Sequence, residues 1–230
     1  MAAETDAISA CVFALGQPAC DVDAEVRAAA ASTLTCVANA GSRAEVSEAG
    51  GVEALLSLLG KEGEEGGELH AMRGLRSLAE YSGSHAALAG GLAALVARAG
   101  SGEGEAPQAA IGTLHKLSTG GDAAAVATLA SSSAAVALLV DQLSCEPRPA
   151  VRSLRHLCDH AEALAAIVES GGVSSLVDVA RGDDKMARRD AALLLSRLSS
   201  PPHSEAVATS GGVEVLLAAV QIGDAEVTAA

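Results

Sequence analysis

The densest cluster of side chains able to hold a metal or act as a nucleophile is His156-Leu157-Cys158-Asp159-His160. Spacing argues against both chemistries. Residues four apart on a helix share a face, so His156 and His160 fall together, while Cys158 points to roughly the opposite side. A three-ligand metal site or a Cys-His nucleophile is geometrically poor in that arrangement. The plainer reading places Cys158 toward a core and the histidines near a helix C-terminus, where the macrodipole favours them. The stretch GSGEGEAP, Gly100 to Pro107, resembles part of a nucleotide-binding glycine loop. It lacks the final glycine, follows helical sequence where a strand is required, and carries Glu103 and Glu105, which repel phosphate. The sequence contains no G-x-S-x-G, Walker A or H-E-x-x-H motif. The expectation is a protein that is not an enzyme, with no catalytic residues, no metal and no cofactor.

What remains as chemistry is charge. The 230 residues carry a net charge of −14, which argues against nucleic acid or an anionic membrane as a general partner, since both need a basic surface. The positive charge is unevenly placed. Residues 148–197 hold 8 Lys/Arg against 7 Asp/Glu, whereas residues 1–147 hold 7 against 18. A concave surface of one sign focuses its field and favours partners of the other sign. The five cysteines, Cys11, Cys20, Cys36, Cys145 and Cys158, are odd in number and contain no C-x-x-C, which reads as a reduced intracellular protein, cytoplasmic with a nuclear location as the alternative. Glu4 and Asp6 stand where an export signal would carry Lys or Arg. The uncharged run Ala123 to Val140 reaches membrane-span length, but Ser131 to Ser133 interrupt it and it reads as two short helices.

The elements that must position these charges are helices. Half the residues are apolar, there is no Trp, and Phe13 and Tyr81 are the only other aromatics, so Leu, Val and Ala do the packing. Ala has the highest helix propensity and lets helices approach closely. Double-small dipeptides recur at Gly50-Gly51, Gly90-Gly91, Ala134-Ala135, Gly171-Gly172 and Gly211-Gly212, spaced by 40, 44, 37 and 40 residues. A period near 40 marks a helical solenoid, in which each unit buries its apolar face only against its neighbours. Within one unit, AEALAAIVES (161–170) reads as a short first helix and the glycine pair as a tight bend. Val173, Leu176 and Val177 mark the face of a second helix. A turn follows at Arg181-Gly182-Asp183-Asp184, where Gly ends that helix and Asp can cap a third, which carries Met186, Ala187, Ala191, Leu194, Leu195 and Leu198.

Three helices per unit, with G-G-V-x-x-L-[LV] opening the second, resemble the armadillo repeat family, and the resemblance covers almost the whole chain. DAEVRAAAASTL (23–34), with Val26 and Arg27, looks instead like a HEAT repeat, a close alternative. The expected fold is all-α, a right-handed α-solenoid of about five three-helix units in a single array. The units fall at about 1–20 (partial), 21–60, 61–100, 101–144, 145–181 and 182–230 (partial at its end). AISACVFALGQPA reads as a second helix without its first, and GDAEVTAA as a third helix barely begun; such uncapped ends would allow self-association. GKEGEEGGE (60–68) and GSGEGEAP read as flexible acidic turns on one rim.

The resemblance implies that third helices line a groove for extended peptides, each offering a Trp and an Asn four residues later. Register places that pair at Ser32 and Cys36, Arg73 and Ser77, Gly112 and Lys116, Arg152 and His156, and Leu193 and Arg197. None of these is Trp or Asn, which removes the case for importin-like recognition of a basic peptide. The same face reads Leu69, Arg73, Ser77; Gln108, Gly112, Lys116; Arg148, Arg152, His156; Arg189, Leu193, Arg197. It carries seven basic or titratable groups, Arg73, Lys116, Arg148, Arg152, His156, Arg189 and Arg197, and no carboxylate. The expected function is a protein-interaction scaffold whose groove binds an extended acidic or phosphorylated partner segment. Arg148, Arg152, Arg189 and Arg197 are its main contacts, because the guanidinium fork pairs bidentately with carboxylate and phosphate. The plainer reading is ordinary solvated charge. The rivals are a HEAT-like lyase or lyase partner with a pocket at His156, and a passive spacer.

Overall fold

A computed structural model describes residues 2–17, 22–60, 65–102, 104–120 and 122–221, and among them no strand occurs. The chain packs as two compact units, Met1–Ala125 and Val126–Ala230. The first contains α1 (Ala2–Gly16), α2 (Ala24–Ala40), α3 (Arg43–Glu48), α4 (Gly51–Leu56), α5 (Glu65–Leu78), α6 (His85–Gly90), α7 (Leu92–Ala99) and α8 (Glu105–Thr119). Helix α9 (Ala123–Ser131) crosses the boundary. The second unit continues with α10 (Ser133–Asp141), α11 (Pro147–Leu157), α12 (Ala161–Glu169), α13 (Gly172–Arg181), α14 (Lys185–Leu198), α15 (Ser204–Thr209) and α16 (Gly212–Gln221). The order is therefore short first helix, short second helix, long third helix, repeated, and the fold is an all-α solenoid of armadillo-like repeats. Third helices lie side by side: α2, α5 and α8 in the first unit, α11 and α14 in the second. The uncharged run at 123–140 is indeed two helices, α9 and α10, meeting at 84°, and no single described helix is long and apolar enough to cross a membrane.

The glycine pairs have two distinct jobs. Gly50, Gly171 and Gly211 adopt φ of 81°, 74° and 78°, a left-handed conformation that side chains resist. The second glycine sits where the first helix of the unit crosses its backbone. A Cβ on Gly51 would lie 2.6 Å from the Val46 carbonyl oxygen, and one on Gly172 2.9 Å from that of Ile167. The Ala134-Ala135 pair does not share this role. There the second helix is capped by Ser132, whose hydroxyl accepts from the Ala135 amide, so the bend falls two residues earlier than the sequence alignment placed it. The residues preceding the second helices are Gly50, Gly91, Ser132, Gly171 and Gly211, spaced by 41, 41, 39 and 40. The repeat is more regular than its dipeptides.

The core is aliphatic throughout. Leu34, Leu55, Leu58, Leu75 and Leu114 in the first unit, and Leu154, Leu157, Ile167, Leu194, Leu195 and Leu198 in the second, are fully buried. Two expected placements change. Met186, read as part of the apolar face of its helix, is 48% exposed, and in the HEAT-like stretch Arg27 is buried while Val26 is exposed. The acidic stretch 60–68 is also not wholly a turn. Residues 61–64 lie outside the described residues, but α5 begins at Glu65, and Glu68 is buried, accepting from the Gly60 amide at 3.1 Å and pairing with Arg98 at 3.3 Å. Cys20, Glu103 and the GDAEVTAA stub lie outside the described residues too.

Two consequences for stability follow. Asp184 accepts from the amides of Met186 and Ala187 at 2.9 and 3.1 Å, and the Ala187 bond above all holds its carboxyl below the usual carboxylate range. Asp184→Ala is expected to lower the melting temperature by about 2–4 °C in a calorimetric scan. His115 on α8 is pushed by burial from 6.5 down to about 4, so the native state keeps it neutral while the unfolded chain protonates it. Its contribution is intact above pH 6.5 and is lost as pH falls toward 4. Between pH 7 and pH 5 the loss is about 2 kcal/mol. His115→Gln is expected to flatten the melting-temperature profile across that interval; an unchanged slope would show that another group dominates.

Candidate functional site

Helix α11 opens with Pro147 at its first turn, where the missing N–H costs no helical bond. Its Ala150, Val151, Leu154 and Leu157 are buried, which leaves Arg148 and Arg152, one turn apart, on the opposite and exposed face. On α14, capped by Asp184, burial of Ala187, Ala191, Leu194 and Leu195 turns Arg189 and Met186 toward the same side. Arg148, Arg152, Arg155, Met186, Arg189 and Asp190 line one cleft of about 440 Å³. Arg155 Nε meets Asp190 Oδ1 at 3.0 Å, tying α11 to α14 and engaging the one carboxylate in the lining. Among the described residues Arg148 and Arg152 form no ion pair. Their field is nevertheless felt: Arg148 helps to lower the Asp184 carboxyl, and the His156 imidazole is lowered first by burial and then by Arg155 and Arg152.

The first unit has a different surface. Arg73, Arg76, Arg43, Glu80, Glu105 and the lone asparagine, Asn39, border a cleft of about 350 Å³. Arg73 pairs with Glu105, and Glu80 bridges Lys116 and Arg43, each at 3.0 Å. Lys116 is the main cause of the lowered Glu80 carboxyl. A Cβ on Gly112 would stand 3.0 Å from Arg76 Nε, so the bare glycine is where that guanidinium lies.

Of the seven basic or titratable positions read from the sequence, Arg148, Arg152 and Arg189 come together. Arg73 and Lys116 are engaged by carboxylates in the first unit, and Arg197 pairs with Asp159. His156 is exposed and outside the cleft lining. Ser77, expected on the open face, is buried, and Arg43 Nε donates to its carbonyl at 3.0 Å. The absence of carboxylates along the row does not extend to its surroundings, because Glu80, Glu105, Asp159 and Asp190 reach it from neighbouring positions. Arg155 and Met186 were missed. Arg155 sits seven residues after Arg148, a spacing that returns to one helix face, and this was the available signal. At 156–160, burial and Asp159 push the Cys158 thiol up, opposite to an activated nucleophile. Among the described residues no group of three His, Cys, Asp or Glu could hold a metal ion.

No protein-family model matches the sequence, and no curated protein matches it. Solved structures do. The chain is similar to an engineered protein solved as a structural-genomics target, with 29% identity over 96% of this chain and 92% of that one, at a TM-score of 0.72. It is similar to a designed armadillo repeat protein in complex with the peptide (KR)4, at 20% identity, 96% and 95% coverage and a TM-score of 0.71. It is also similar to computationally designed armadillo repeat proteins for modular peptide recognition, at 19% identity, 96% and 94% coverage and a TM-score of 0.75.

Proposed function

Starting from an all-α solenoid of armadillo-like repeats, we propose that this chain is a peptide-binding scaffold whose second unit receives an extended acidic segment across α11 and α14. The observation that carries the reading is the cleft in which Arg148, Arg152 and Arg189 converge while Asp190 is held by Arg155. Its sign is opposite to that suited to a basic peptide such as (KR)4. Solvated arginines scattered on a helix would not be expected to gather from two helices around one concavity. The mixed cleft of the first unit contributes less, because Arg43 and Arg73 already have carboxylate partners there. The even spacing of the second-helix starts supports reading the chain as one array. The lyase reading required a pocket with perturbed titrating groups at His156; His156 is lowered and Cys158 raised, but neither lines the arginine cleft.

The test is fluorescence anisotropy with two labelled peptides, polyglutamate and (KR)4, at low and moderate salt. Polyglutamate is expected to bind and to weaken as salt rises. Binding of (KR)4 without binding of polyglutamate would overturn the proposal.

A further inference from the structure

We propose that the α11–α14 cleft is a subsite for a phosphoryl dianion borne on a side chain of the partner protein, an inference that rests on the acidic-segment reading above. Four guanidinium groups border the cleft against one carboxylate, and that carboxylate is engaged by Arg155 at 3.0 Å and is only 15% exposed. A carboxylate ligand carries one charge and two oxygens, which a single arginine fork satisfies. A phosphoryl group carries close to two charges and three equivalent oxygens, so it can engage forks arriving from both helices. Arg148 and Arg152 lie on α11 and Arg189 on α14, so the third oxygen and second charge of a phosphoryl group add contacts that a carboxylate lacks. Met186, 48% exposed at the same cleft, offers an apolar wall to the carbon atoms that carry the phosphate. The volume of about 440 Å³ accommodates the group with its side chain.

The experiment follows the arginine Nε–H signals of the whole chain by NMR. The added probes are acetylated Ala-phosphoserine-Ala, its Ala-Glu-Ala counterpart, and inorganic phosphate. The phosphopeptide is expected to shift Arg148, Arg152 and Arg189 and to bind about tenfold more tightly than the glutamate peptide. Arg152→Gln and Arg148→Gln should each weaken it about tenfold with melting unchanged, while Arg73→Gln in the first unit should leave it unaltered. Equal affinity for the glutamate peptide would sink the phosphoryl assignment and leave the acidic-segment reading standing. Inorganic phosphate binding as tightly as the phosphopeptide would assign the cleft to free phosphate. No shift with the phosphopeptide would reject the subsite, and the polyglutamate measurement then decides separately whether the broader reading survives.

Discussion

Reversing Arg148 and Arg152 together (R148E/R152E) is expected to weaken polyglutamate binding by about 100-fold or more at low salt. Two charge-assisted contacts disappear, and two carboxylates now face an anionic ligand in their place. Each contact to a charged group is worth about 1.5–3 kcal/mol, so the pair exceeds the roughly 2.8 kcal/mol that a 100-fold change requires. Stability should move little, because both side chains are exposed and make no ion pair among the described residues. Binding measured by anisotropy and melting measured by calorimetry separate the two effects. Arg197→Glu is the internal comparison. Arg197 pairs with Asp159 and is absent from the cleft lining, so its reversal is expected to cost less than tenfold. Equal losses from both variants would show that the field of the whole face, and not the cleft, attracts the ligand.

Replacing the first glycine pair, Gly50→Ala with Gly51→Ala, is expected to destabilise the protein by about 2–5 kcal/mol. Alanine at Gly50 must hold φ of 81°, which costs about 1–2 kcal/mol. Alanine at Gly51 places a methyl 2.5 Å from Val46 Cγ1 and 2.6 Å from the Val46 carbonyl, and overpacking of that kind costs about 1–3 kcal/mol. The backbone atom cannot swing aside as a side chain would. Gly90→Ala supplies the contrast: nothing lies within 4 Å of its missing Cβ and its φ is not positive, so its effect should stay within about 0.5 kcal/mol. Urea unfolding of the two variants measures the difference. If Gly90→Ala proved as costly as the pair, the bend in that unit would have to lie at Gly90 and not at Gly91.

The sequence by itself determined the helical class, the period near 40 and the order of helices within a unit. These depend on local chemistry: alanine and leucine at helical spacing, glycine where the backbone must turn, and the Asp183-Asp184 pair where a helix must start. Local chemistry also brought out the arginine-rich stretch 148–197, because charge along a chain needs no folding to count. The third unit's bend escaped it, since Ala134-Ala135 imitates a glycine pair while the Ser132 hydroxyl makes the cap. Only the tertiary structure decided which charges meet carboxylates from other helices. Lys116 is taken by Glu80 and Arg73 by Glu105, partners 36 and 32 residues away that meet through side-by-side helices. Arg197 finds Asp159 across a separation of 38. Ser77 is covered because Arg43 reaches it from another helix. Helical periodicity assigns a residue to a face of its own helix. Whether that face meets water, a carboxylate or a neighbour's side chain depends on the packing of successive units, and that packing gathers Arg148, Arg152 and Arg189 into one cleft.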